Sequence, residues 1–146
     1  MVNAADQQRR FELMIRADPE LMRLLSVLRI MTALMLLQHG TAKYLGFPHV
    51  AAFDDLQPLS LLGASGVLEL VGGVLILIGL FTRPVAFILS GFAAVAYFMV
   101  HAPQGFYPLL NQGELAVLYC FIFLYLSVAG GGAWSADAAM GRITRV

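Results

Sequence analysis

Apolar residues run almost unbroken through four stretches of the chain, and charged residues interrupt them at few places. Between Leu56 and Thr82 the only charged residue is Glu69, in a segment built mainly of Leu, Ile, Val, Gly, Ala, Ser and Phe. About 20 residues of helix cross a hydrocarbon core of about 30 Å. By that rule the pattern predicts spans at Leu24–Leu45, Leu59–Phe81, Pro84–His101 and Glu114–Gly130. The expected fold is all-α, an integral-membrane bundle of four transmembrane helices.

A short amphipathic N-terminal helix is expected before the first span. Gln7–Ala17 alternates charge with Phe11, Leu13, Met14 and Ile15 at roughly helical spacing, which suits a helix lying on a membrane surface or a solvated tail. Arg9, Arg10, Glu12, Arg16 and Asp18 break any apolar run before Leu21, so the segment does not read as a cleaved signal peptide. Asp18-Pro19-Glu20 then supplies a cap, a first-turn proline and an acidic first turn for the helix that becomes the first span. The predicted organisation is an N-terminal segment over residues 1–18, a four-helix membrane domain over 19–137 and a cytoplasmic tail over 138–146.

Composition agrees with this reading, since 60% of the 146 residues are hydrophobic and 12% charged, outside the range of soluble domains. Nine basic and nine acidic residues cancel, which gives no reason to expect a nucleic-acid partner. A single cysteine, Cys120, excludes an internal disulfide or a CxxC redox pair. The basic residues divide by side. Arg9, Arg10, Arg16 and Arg23 precede the first span, Arg83 follows the second, and Arg142 and Arg145 follow the fourth, whereas the loop Gly46–Pro58 carries Asp54 and Asp55. The positive-inside rule puts both termini in the cytoplasm.

Candidate chemistry lies where polar groups enter the spans. Arg29, Thr32, Leu36, His39, Gly40 and Lys43 share a helix face of roughly 100°. Snorkelling to headgroups would explain Arg29 and Lys43, but His39 is too short to reach and is expected to face the bundle. Glu69 shares a face with Ser65, Gly66, Gly72 and Gly73, a surface of small residues that turns it inward. There it is either a packing ion pair with a first-span base such as Arg29 or His39, or a proton-accepting or substrate-binding carboxylate. At the outer end, Tyr97 and His101 share a face, and Asn111 with Glu114 matches a capping box, a pattern that needs no function. His39, Lys43, His101, Asn111 and Glu114 nevertheless map to one membrane level beside Tyr97, Phe106 and Tyr107, as a polar site with an aromatic rim would.

Arg29, His39-Gly40-Thr41-Ala42-Lys43, Gly66-Val67-Leu68-Glu69 leading to Gly72-Gly73, and Gly79-Leu80-Phe81-Thr82-Arg83 form an ordered series of motifs. Asn111-Gln112-Gly113-Glu114 and the ending Gly130-Gly131-Gly132-Ala133-Trp134-Ser135-Ala136-Asp137 complete it. From about Leu25 to Asp137 the chain thereby resembles the DoxX family. The resemblance implies a small four-helix protein of the bacterial inner membrane, with relatives linked to thiosulfate:quinone oxidoreduction, quinone or thiol stress and membrane oxidoreductase complexes. It also implies a polar signature at Arg29, His39, Lys43, Glu69, Asn111 and Glu114, to which the geometry adds Tyr97 and His101.

The function expected is that of a quinone-associated membrane subunit of an oxidoreductase system. Glu69 and His39 are its candidate catalytic groups, and Arg29, Lys43, Tyr97, His101, Asn111 and Glu114 its candidate ligand contacts. A non-catalytic scaffold or anchor of a larger redox complex is the alternative. Expected partners are membrane lipid and other subunits or further copies of the chain. A quinone is the cofactor anticipated. A haem held by His39 and His101 has thin support, and no metal site is expected.

Overall fold

The computed structural model describes Asn3, Gln7 and residues 19–141. Among these there is no strand, and four long helices follow one another in up-and-down order: α1 (Pro19–Leu45), α2 (Leu61–Ile78), α3 (Thr82–Ala96) and α4 (Glu114–Ala129), with a single-turn α5 (Ala136–Ala139). The amphipathic segment expected at Gln7–Ala17, Gln7 apart, lies outside the described residues, as do the Asp18 cap, Arg142 and Arg145.

Local chemistry sets the helix ends. Pro19 begins α1, where its missing N–H removes nothing the helix needs, and Glu20 meets the positive end of the helix dipole. Ser60 caps α2 by accepting from the Gly63 N–H at 3.0 Å. That helix stops at left-handed Gly79 (φ +70), where the Leu80 N–H returns to the Leu75 carbonyl at 2.9 Å. α3 lacks a side-chain cap from its own N-cap residue, Phe81. Its entry is capped from a distance by the Asp137 carboxylate, which accepts from Phe81 N at 3.0 Å and Thr82 N at 2.8 Å. α3 continues through a π turn at Tyr97–His101 and a 3₁₀ turn at Ala102–Gln104. One expectation is corrected at α4. Its N-cap is Gly113 with no side-chain cap, so Asn111 and Glu114 form no capping box; Asn111 Oδ1 instead accepts from Gly113 N at 2.8 Å.

Two helices among the described residues are long and apolar enough to cross a membrane, Leu61–Ile78 and the run Thr82–Gln104; Glu114–Ala129 is apolar but shorter. Close packing joins α1 to α2 and α3 to α4, while α1 and α4 touch sparsely. The core is Leu25, Ala33 and Leu36 of α1, Ile76 of α2, Ala86, Leu89 and Ala93 of α3, and Tyr119, Phe123 and Leu126 of α4. Outward lie Val67, Val71, Val74, Phe87, Ile88, Val95, Leu118 and Phe121. Buried polar groups inside and large apolar residues outside are the distribution expected where the solvent is lipid.

Arg29 fastens one end of this bundle. Its side chain is fully buried, and its guanidinium donates to four backbone carbonyls: Gly131 at 2.8 Å, Trp134 at 2.6 Å, Ile76 and Leu77. The last turn of α2 and the loop after α4 are thereby tied to the middle of α1. Ser26 adds a second tie by accepting from the Trp134 N–H at 3.0 Å. Arg29→Ala would remove the donor from the Leu77, Gly131 and Trp134 carbonyls and leave Ile76 with only the Gly79 N–H, and should lower unfolding stability by about 3–5 kcal/mol. Arg29→Lys, a point charge without the planar fork, should recover less than half of that loss. Denaturant unfolding of the purified protein checks both values.

Candidate functional site

The opposite end of the α1–α2 hairpin holds the charged pair. Lys43, in the last turn of α1, places its Nζ 2.8 Å from both Glu69 carboxylate oxygens and 2.7 Å from Ser65 Oγ. Both side chains are almost sealed, at 6% and 7% exposed. Ser65 lies one helical turn before Glu69 and donates to the Leu62 carbonyl at 2.7 Å, which leaves its lone pairs turned to Lys43. Glu69 therefore faces the bundle and a base of α1, but that base is Lys43 rather than Arg29 or His39. The reason is local. Gly66 carries no side chain where a Cβ would stand 3.1 Å from Lys43 Cδ, so the long lysine stem runs inward along α2 instead of outward to headgroups. From the Ala51–Phe53 turn, the Phe53 ring centroid lies 5.7 Å from Lys43 Nζ and closes the pair on the loop side.

Sequence reasoning missed one group here. Tyr119 of α4 is 7% exposed, stacks on Phe123 at 5.7 Å between centroids and meets His39 edge-on at 6.2 Å. Glu69 lies within electrostatic reach of it. Its hydroxyl oxygen is buried without a hydrogen-bond partner among the described residues, a condition shared by Thr82 Oγ1 at the other end. The available signal was periodicity, because Tyr119, Phe123 and Leu126 repeat at helical spacing and mark the buried face of α4. His39, expected to face the bundle, is instead exposed at the α1 surface, with its ring meeting only the edge of Tyr119.

The remaining candidates form a separate group. His101 Nδ1 lies 3.0 Å from the Asn111 carbonyl oxygen, and its ring stacks near Tyr97 at 6.3 Å. Asn111, 1% exposed, donates from Nδ2 to the Gly105 carbonyl at 2.7 Å and lies 3.5 Å from Tyr97 Oη, so it holds the loop between α3 and α4 in shape. Glu114 is exposed at the first turn of α4. Beside this group is a half-open recess of about 350 Å³ lined by Tyr97, Phe98, Ala102, Gly105, Phe106 and Pro108. The residues expected at one membrane level thus divide: Lys43 and His39 lie with Glu69 and Tyr119, Tyr97, His101 and Asn111 form a second group, and Glu114 is bound to neither. Arg29 belongs to neither, its guanidinium being engaged by backbone at the far end.

Breaking the charged pair has a signed consequence. Glu69→Leu strands the buried Lys43 ammonium and should cost about 3–5 kcal/mol, whereas Glu69→Gln keeps an acceptor and should cost about 1–3 kcal/mol. Lys43→Met combined with Glu69→Leu should be more stable than Glu69→Leu alone, because the stranded charge is gone. Thermal unfolding of the three variants measures this coupling.

Comparison with known proteins adds identity to this geometry. The family model described as DoxX matches residues 24–102, which covers α1 from Leu24 onward, α2 and the helical run after Thr82 as far as Ala102. A Haemophilus influenzae protein described as uncharacterized is 46% identical over 117 residues, covering 77% of this chain and 87% of that protein. No solved structure matches. With more than half of the chain matched by the family model and a relative of this identity, the chain belongs to the DoxX family.

Proposed function

We propose that this chain is a four-span protein of the bacterial inner membrane that acts as a quinone-associated subunit of an oxidoreductase system. The observation that carries the reading is the buried Lys43–Glu69 pair. An ionisable pair within apolar helices is costly to insert and is by default a functional-site hypothesis. The polar set suits a quinone headgroup: a phenol with an unmatched hydroxyl and an imidazole at the helix surface can donate to its carbonyls, beside a carboxylate held as an acceptor by Lys43. A bound quinone supplies two-electron carriage. The chain's residues have the simpler tasks of excluding water, orienting the headgroup, and holding a proton on the Glu69 carboxylate or the His39 ring.

A specific observation favours the scaffold as a second reading. Arg29 and Asn111 spend their polar groups on internal carbonyls, and the apolar recess lies beside Tyr97 rather than beside Glu69. These features serve architecture and leave the outward helix faces for lipid or for other subunits.

Orientation follows from charge. Arg23 at the start of α1 and Arg83 at the start of α3 share the end fastened by Arg29, whereas His49, Asp54 and Asp55 share the other. The first end is placed in the cytoplasm with both termini. In a Cys120→Ser background, single cysteines at positions 49 and 107 should react with an impermeant maleimide added outside spheroplasts, and cysteines at 9 and 142 should not. Labelling at 9 or 142 from outside reverses the topology.

Gentle purification from the native membrane, followed by extraction and identification of quinone and co-purifying chains, tests the function. The wild type should retain quinone above the level of a lipid-matched control membrane protein, and His39→Ala should retain several-fold less with an unchanged unfolding midpoint. Retention no higher than the control in the wild type, with defined partner chains still bound, decides for the scaffold.

A further inference from the structure

Tyr119 stands apart from the other polar groups of the bundle. Ser26, Arg29, Thr32, Lys43, Ser65, Glu69, Ser90 and Asn111 all make hydrogen bonds within the protein, while the buried Tyr119 hydroxyl makes none among the described residues. A buried tyrosine ordinarily finds a partner for its O–H, and leaving it unmatched costs about 1–3 kcal/mol. Thr82 Oγ1 shares this state, but it is packed at the first turn of α3 against the Gly131 backbone, where a Cβ on that glycine would stand 2.8 Å from it. Tyr119 has different surroundings: the Glu69 charge within electrostatic reach, the His39 ring at its edge, and the sparse α1–α4 seam on which His39 is exposed.

The hydrogen-bond count around it selects a ligand chemistry. An ammonium has three donors, and those of Lys43 find three acceptors: Ser65 Oγ and the two Glu69 oxygens. Ser65 spends its own proton on Leu62. The lysine is therefore no donor for an incoming molecule, and within the sealed part of the cluster the Tyr119 O–H is the donor left over. A headgroup seated there must offer an acceptor.

We infer that Tyr119 is the ligand-facing hydrogen-bond donor of this site, and that it takes a carbonyl oxygen of an apolar-bodied ligand entering from the lipid side between α1 and α4 past His39. The inference rests on the quinone reading above and deepens it, naming the contact and the side of entry. Phe123 stacks on Tyr119, and Phe53 stands over Lys43, so each of the two groups carries aromatic surface of the kind a flat ring packs on.

The test is affinity for decylubiquinone, with decylbenzene as a probe of similar apolar body and no carbonyl, measured on the full chain in lipid nanodiscs. Tyr119→Phe removes one hydroxyl and keeps the ring. Because that hydroxyl has no internal partner, the variant should unfold at or above the wild-type midpoint, bind decylubiquinone about 10-fold more weakly and bind decylbenzene as the wild type does. His39→Trp, which widens the side chain on the seam, should slow decylubiquinone association several-fold while Phe87→Trp on the outward face of α3 leaves it unchanged. A clear fall in the unfolding midpoint of Tyr119→Phe, or its failure to fold, shows a structural hydroxyl and overturns the assignment. Equal decylubiquinone affinity in the wild type and Tyr119→Phe overturns it while the quinone reading stands. No decylubiquinone binding by the wild type overturns both.

Discussion

A polar group carried into an apolar interior must complete its hydrogen bonds there, and the placement of Arg29 shows how much of the molecule that requirement organises. A guanidinium presents five donors in a plane, and no carboxylate meets this one at bonding distance among the described residues. Its acceptors are backbone carbonyls, two from the last turn of α2, where Ile76 also accepts from the Gly79 N–H, and two from the loop beyond α4. The negative end of the α2 dipole offsets part of the charge. Remove this convergence and α1 loses one tie to each of two other segments, while its packing on α2 and the Ser26–Trp134 bond remain. At that end one cation distributed over backbone supplements the side-chain packing of Leu25, Ile76 and Leu126.

The other end solves the same problem with opposite charges. Lys43 and Glu69 satisfy each other, and Ser65 completes the ammonium's set. This arrangement fixes the carboxylate in position and leaves the Tyr119 hydroxyl of α4 without a partner among the described residues. The seam between α1 and α4 is sparse, and the Lys43–Glu69 contact lies wholly between α1 and α2.

Much of the fold was legible because hydropathy is a long-range signal in a bilayer: the four apolar stretches correspond to α1 through α4, displaced by a few residues at their ends. Ends are set by local chemistry that hydropathy does not carry, such as the Asp137 carboxylate that starts α3 from across the chain. The inward direction of Glu69 was legible from the small residues around it. Its partner was not, because helical arithmetic gives a face but not a reach, and the reach of Lys43 depends on the missing side chain of Gly66. The Asn111-to-Glu114 spacing suggested a cap, yet α4 begins at Glu114 with Gly113 before it, so Asn111 serves the loop instead. Tyr119 was hidden for the plainest reason: within an apolar run a tyrosine on the core face looks like one more aromatic.

The bonds that join Arg29 to Gly131 and Trp134, and Asp137 to the start of α3, make the C-terminal segment a working part of the bundle. Gly131 and Trp134 follow Arg29 by more than 100 residues in the chain. Without that segment the cation would keep only the carbonyls of α2, and the Thr82 N–H would lose the Asp137 carboxylate. The stretch of chain beyond α4 is thus the clasp that closes this end of the structure, and shortening it would open contacts made by residues far upstream.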